Sequence, residues 1–332
     1  MSCKKEAEKQ EKKEDRFVKT KTKPSAIDSL QTNEQIERFI AKTDTMYRKF
    51  TLKKVQDIGR PGCDSLLFNL AERYHIKSSF EKADFDNNGY TDLLVTGENK
   101  TYTDYDYTKN IWPSKEFNAV VLMNFGSGNV KLYDLTDGGI VPKVEYVGQL
   151  PLLVVHKPIR IRNERTKSDE KIAKLTFKYG DFTEYNPKPV YYHIEKIKYR
   201  VTPCFGQCVA FTMEIGEEKK ATFDAVSYNY TRDWYKSTLL SGSYKGTIND
   251  TDFYELLELT QYIDFPNLKN SYHVMATDSS TGELTITYNG GQEKRIGFYY
   301  LQGTYGLYSI QKKIFDLRHT QNWKKVSDIP KI

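Results

Sequence analysis

Long hydrophobic runs are missing from this sequence. Uncharged apolar stretches such as Pro151–Val155 extend for only a handful of residues, against the ~20 that a membrane-crossing helix needs. A helical integral membrane protein is thereby excluded. Histidine is scarce as well: His75, His156, His193, His273 and His319 are scattered, and no two have the spacing of metal ligands. There is no glycine-rich phosphate loop, no Gly-x-Ser-x-Gly elbow for a hydrolase nucleophile and no internal repeat of the propeller or solenoid kind. Catalysis is therefore the lesser expectation.

What the chain does have is charge and aromatic rings, at 28% and 14% of 332 residues. That aromatic content excludes a wholly disordered protein, and the length suits two domains, each able to bury a core. The net charge of +6 is unevenly placed. Residues 1–24 hold nine Lys/Arg against five Asp/Glu, so +4 of the +6 sits in one short polar segment. A folded nucleic-acid binder carries its basic residues as a stripe or patch on the folded surface, and no nucleic-acid partner is expected. The same segment lacks any hydrophobic period and cannot repay the entropy of ordering, so residues 1–27 are expected to form a disordered tether.

Beyond the tether the pattern predicts an α+β fold: two mainly antiparallel-sheet domains with a few packing helices. Asn33 is placed as the cap of a first helix carrying Ile36, Phe39 and Ile40, and Asp64 or Ser65 as the start of a second with Leu66, Leu67 and Leu70. Strand-like runs follow at Leu93–Thr96, Ala119–Met123, Val130–Tyr133 and Ile172–Phe177. The stiff Asn186-Pro-Lys-Pro189 spacer divides a domain at 28–190 from one at 191–326. In the second, Asp250 or Asp252 caps a helix, Leu284–Tyr288 and Lys294–Tyr300 form a hairpin across Asn289-Gly-Gly291, and a final helix ends near Trp323.

The clearest chemical pattern is Asp84-Phe-Asp86-Asn-Asn88-Gly89-Tyr90-Thr-Asp92. Oxygen ligands at alternate positions of a tight loop suit Ca²⁺, a hard cation taking six to eight oxygens. Asp84, Asp86 and Asn88 would supply side-chain oxygens, Tyr90 its carbonyl and Asp92 a closing carboxylate, with Gly89 permitting the turn. The glutamate an EF-hand requires at its twelfth position is replaced by Val95. The loop resembles instead the short Asp-x-Asp-x-Asn-Gly-x-x-Asp turns of the FG-GAP and VCBS extracellular repeats, in a single copy. That resemblance implies structural calcium and an exterior address.

Two cysteine settings add to this. Met1-Ser2-Cys3-Lys4-Lys5 resembles the start of a bacterial lipoprotein after its signal peptide, with Cys3 as the lipid-bearing residue. The implied location is the cell envelope, with the membrane contacted only through the lipid. Cys204 and Cys208 lie four apart, about 13 Å on a straight strand and too far for a disulfide unless the chain bends at Gly206. They are a short disulfide, two buried thiols, or a redox or metal pair; an oxidising address favours the first. Cys63 is left over. Around this pair, Pro203-Cys-Phe-Gly-Gln-Cys208, Phe265-Pro-Asn-Leu268 with Tyr272, Leu284–Tyr288 and Trp323 resemble the bacterial family known as Domain of Unknown Function 6438, over residues ~193–323. Its usual Pro-Val-Tyr after the second cysteine is Val209-Ala210-Phe211 here. The family implies a fold and no mechanism.

Aromatic residues cluster at Tyr102, Tyr105, Tyr107 and Trp112, and at Tyr228, Tyr230, Trp234 and Tyr235. Flat rings with polar tips suit a glycan or protein ligand, although Tyr-rich strands also pack across sheets for structural reasons. The sequence therefore predicts a non-catalytic binding or scaffold module of the envelope. The alternative is a hydrolase acting on envelope glycans or peptides, which would need a cleft with paired carboxylates or a His-supported nucleophile.

Overall fold

The computed structural model describes residues 22–57, 65–99, 116–135, 139–160, 168–230, 238–273, 278–299 and 301–328. The fold is α+β and mostly sheet: among the described residues there are four α-helices and seventeen strands, nearly all antiparallel. Two compact units divide at Ile172/Ala173, and each is described by itself.

In the first unit helix α1 (Asn33–Thr43) opens with a capping box. Thr32 Oγ1 accepts the Gln35 N–H, and the Gln35 side chain accepts the Thr32 N–H. Thr32, not Asn33, is thus the cap, since only a Thr-x-x-Gln spacing satisfies both orphan donors. Strand β1 (Phe50–Leu52), helix α2 (Ser65–Arg73), β2 (Phe80–Ala83), β3 (Asp92–Asn99), β4 (Glu116–Asn124) and β5 (Val130–Asp134) follow. The sheet runs β1-β3-β4-β5, with β2 beside β1 along the same edge of β3. Every residue of β3 is buried. One face, through Leu93, Val95, Val120 and Leu122, packs under α1 with Ile27, Ile36 and Ile40. Where β1 crosses β3 there is no space for a side chain: a Cβ on Gly97 would lie 2.2 Å from the Thr51 carbonyl oxygen.

A second sheet hairpin joins β6 (Val141–Val147) to β7 (Leu150–Arg160), with Val141 opposite His156. Leu67, Leu70 and Ala71 of α2 form a smaller core with Val55, Ile76 and Val141. Of residues 1–27, expected to form a disordered tether, 22–27 are described and packed on the unit. Ile27 is fully buried, and the Lys23 N–H donates to the Gly89 carbonyl; residues 1–21, including Cys3, lie outside the described residues.

Strand β8 (Ser168–Lys178) carries the chain into the second unit, where it pairs with β9 (Asp181–Glu184). Strands β10 (Ile194–Val201), β11 (Ala210–Gly216), β12 (Lys220–Tyr230), β13 (Leu239–Thr247), β14 (Ser271–Tyr272), β15 (Thr281–Tyr288), β16 (Gln292–Tyr299) and β17 (Lys324–Ser327) form one sheet, ordered β14-β16-β15-β10-β11-β12-β13-β17. Alternation along β10 sends Ile197, Tyr199 and Val201 inward and Lys196, Lys198 and Arg200 outward. Helices α3 (Asp250–Tyr262) and α4 (Tyr305–Thr320) cover the inner face with Phe253, Leu256, Leu259, Leu307, Ile310 and Ile314. Asn249 caps α3 through the Asp252 N–H, and α4 stops at Thr320, three residues before Trp323, whose indole N–H returns to the Leu317 carbonyl.

The division falls ahead of the Asn186–Pro189 spacer because the intervening residues bond into the second unit. The Glu184 carboxylate accepts the N–H groups of Tyr305 and Gly306 at 2.7 and 2.9 Å. Those donors are orphaned at a helix start, where the dipole also favours an anion. Asn186 bonds the hydroxyl and carbonyl of Tyr262.

Candidate metal centre

The turn between β2 and β3 holds the acidic residues expected from sequence. Ala83 and Asp92 pair across the two strands, so residues 84–91 must reverse the chain. Asp84 accepts the N–H of Asn88 at 3.0 Å and of Gly89 at 2.8 Å, and Gly89 takes a φ of 90° that a side chain would resist. Asp86 accepts the Asn88 N–H and its amide Nδ2. Asp92 is fully buried and joins the turn to β4: its oxygens accept the N–H groups of Phe85 and Asn124, both at 2.7 Å.

One carboxylate oxygen from each of Asp84, Asp86 and Asp92 falls within 4.8 Å of the others. Two unit charges at that distance repel by roughly 3.5 kcal/mol at an effective dielectric near 20. Burial, reinforced by the neighbouring carboxylates, pushes Asp86 up to about 6 and Asp92 up to about 8. Such a group of acids is neutralised by protons or by a cation. Hard oxygens converging on one point fit Ca²⁺, which would supply charge neutralisation and cross-linking of the turn.

Of the other two expected ligands, Asn88 is engaged through its side chain, and Tyr90 is held by its N–H and its ring. The Asn88 Oδ1 accepts the Tyr90 N–H at 2.7 Å, and its Nδ2 also donates to the Asn124 carbonyl at 2.9 Å. The Tyr90 ring lies under Lys23 Nζ, 4.7 Å from its centroid. Lys23 Nζ also donates to the Asn88 carbonyl, and Thr91 donates to Asp28. The segment from Lys23 to Asp28 is therefore fastened to the turn.

A second polar cluster in this unit has no sequence signature. His156 of β7 is 2% exposed, and its ring stacks on Tyr74, just after α2, with centroids 3.7 Å apart. Glu170 of β8 joins them: it accepts the Tyr74 hydroxyl, lies 3.2 Å from Arg73 Nη1 and pairs with His156 Nδ1 at 3.2 Å. Positions 74, 156 and 170 share no period, so only the folded chain brings them together. Their environments separate their titrations. Burial holds His156 below its ordinary value despite Glu170. Burial raises Glu170, but the hydrogen bonds from Tyr74 and His156 outweigh it and hold the carboxyl low.

In the second unit Cys204 and Cys208 are disulfide-bonded, their Cα atoms 5.6 Å apart. The chain bends at Gly206, where φ is 149°, and Phe205 is left 91% exposed on the loop. The loop enters from β10 and leaves into β11 of the large sheet. Residues 195–318 match the family model Domain of unknown function (DUF6438). No curated protein and no solved structure matches the chain. The DUF6438 match covers β10 to most of α4, including the disulfide loop, and ends before Trp323.

Of the expected binding aromatics, Tyr228 and Tyr230 lie on β12: Tyr228, at a φ of 50°, falls in the pairing irregularity between Ala225 and Asn229, and Tyr230 pairs with Leu239. Tyr102, Tyr105, Tyr107, Trp112, Trp234 and Tyr235 lie outside the described residues, as does Cys63. No described helix is long and apolar enough to cross a membrane.

Proposed function

We propose that this chain is a non-catalytic binding or scaffold lipoprotein of the bacterial envelope, with its first unit braced by a structural Ca²⁺ at the Asp84–Asp92 turn. The observation that carries the metal reading is the convergence of three carboxylates within 4.8 Å on one turn. Asp84, Asp86 and Asp92 would hold the ion, and Asn88 would keep the turn in shape. The Cys204–Cys208 bond agrees with an oxidising compartment. The polar segment after Cys3 would serve as the spacer from a lipid, so that the membrane is met only through that anchor. The ligand would be a glycan or a protein met by exposed aromatic residues, not a nucleic acid.

Calorimetric titration of metal-stripped protein with Ca²⁺ tests the metal reading. Expected is one site in the wild type that disappears in Asp86→Asn; absence of binding in the wild type at millimolar Ca²⁺ overturns it. Palmitate labelling in the native cells tests the anchor, with label expected on the wild type and absent from Cys3→Ala.

A further inference from the structure

The Tyr74–His156–Glu170 cluster stands apart from the acidic turn, and its hydrogen-bond inventory is incomplete in one direction only. An ionised Glu170 can only accept, so the hydrogen shared at 3.2 Å belongs to His156 Nδ1. In neutral imidazole that leaves Nε2 as a bare lone pair. Nε2 is buried and has no hydrogen-bond partner among the described residues, which a weakly polar lone pair tolerates better than an N–H would. A second proton would create a charged donor there with nothing to accept it.

The cluster is also where α2 is tied down. Its last turn supplies Arg73 and leads into Tyr74, and both bond Glu170. The apolar face of α2, Leu67, Leu70 and Ala71, packs on Val55, Ile76 and Val141. A further tie among the described residues is Gln56, whose amide donates to Glu72 of α2 and to the Ile76 carbonyl just after it. The ionisable groups on the elements around His156 are Glu72 and Arg73 on α2, Glu81 on β2, Lys143 and Glu145 on β6, Lys157 on its own strand, and Glu170 and Lys171 on β8. Of these, Glu170 and Glu145 favour the charged ring and Lys143 opposes it; the Tyr74 face also favours a cation. Burial outweighs them and keeps the ring neutral.

We propose that the stacked Tyr74–His156 pair, bridged by Glu170, is an acid-sensitive clasp: it holds the end of α2 on strands β7 and β8 and releases it when His156 gains a second proton. Release uncovers the apolar residues beneath α2 while the rest of the unit stays folded. The sign follows from linkage. A histidine whose native pKa lies below its unfolded value stabilises the closed form above the unfolded pKa, and that stabilisation is lost as pH falls below about 6.5.

Hydrogen exchange of the full chain in calcium-containing buffer, at about pH 7.5 and about pH 5 with intrinsic rates divided out, tests the clasp. Peptides covering residues 65–76 are expected to open more at the acid pH, by up to tenfold for each unit separating the native and unfolded pKa values. Peptides from β3 and β4 should not change. His156→Asn, which retains a donor toward Glu170 and cannot take the proton, should make residues 65–76 indifferent to pH. NMR titration of the wild-type ring supplies a reading that does not depend on the variant folding, with a native pKa expected below that of an exposed histidine. Unchanged protection at the acid pH, opening spread evenly over the unit, an unaltered pH response in a folded His156→Asn, or a native pKa at or above the exposed value each overturns the proposal.

Discussion

Asp92 Oδ2 accepts the backbone N–H of Phe85 at 2.7 Å, closing the acidic turn on itself from inside the core. The other oxygen holds the Asn124 N–H on β4, so one buried carboxylate fastens the turn to two strands. Its part differs from that of Asp86, whose bonds stay within the turn. Asp92→Ala leaves two backbone donors without partners and should cost about 1–3 kcal/mol for each that stays buried, even without metal. Asp86→Asn should change the metal-free protein little. Equal unfolding midpoints in urea for Asp92→Ala and wild type, both stripped of metal, would show the carboxylate to be dispensable.

Calcium bound only by the native state adds RT ln(1 + [L]/Kd), about 2.7 kcal/mol at a hundredfold excess over Kd. The melting temperature should therefore rise with Ca²⁺ and fall again with EDTA. In Asp86→Asn both responses should vanish, because one of the three converging carboxylates is lost. A wild-type midpoint that ignores both additions counts against the metal.

The Cys204–Cys208 bond closes a loop of five residues, so it removes little freedom from the unfolded chain. The chain-entropy relation gives about 2 kcal/mol. Replacing both cysteines by alanine should lower stability by that order and leave the fold intact by circular dichroism. Peptide mapping after alkylation without reduction should show neither Cys204 nor Cys208 labelled, whatever Cys3 and Cys63 take up; label on both would mean that the bond is absent from the isolated protein.

Glu170 has a second, separable pH signature. Its hydrogen bonds from Tyr74 and His156 hold its native pKa below the unfolded value, so its stabilisation is complete above about pH 4.5 and is lost as pH falls through the native pKa. Glu170→Gln should cost about 1–3 kcal/mol at neutral pH, since three donors lose a charged acceptor. It should also flatten the loss of stability below about pH 4.5. A variant with the wild-type slope in that window would place the acid sensitivity elsewhere.

Features whose parts lie close together in the chain were legible before folding. All the acidic residues of the turn fall within nine positions, and the disulfide within five, so spacing alone carries their geometry. The alternation of Ile197, Tyr199 and Val201 with Lys196, Lys198 and Arg200 marks β10 as a strand with one face on a core, and the Asn289-Gly-Gly291 turn marks the β15–β16 hairpin. Tertiary structure alone decided the rest. β3 is buried on both faces because α1 covers one and the other is also closed off, and no period within the strand states that. The units divide at Ile172, ahead of the proline spacer, because Glu184 meets the start of α4 about 120 residues later. His156 received its neutral, half-satisfied ring from Tyr74 and Glu170. A local pattern encodes which face a residue presents, whereas the dielectric and the partners it meets depend on segments that only folding brings to that face.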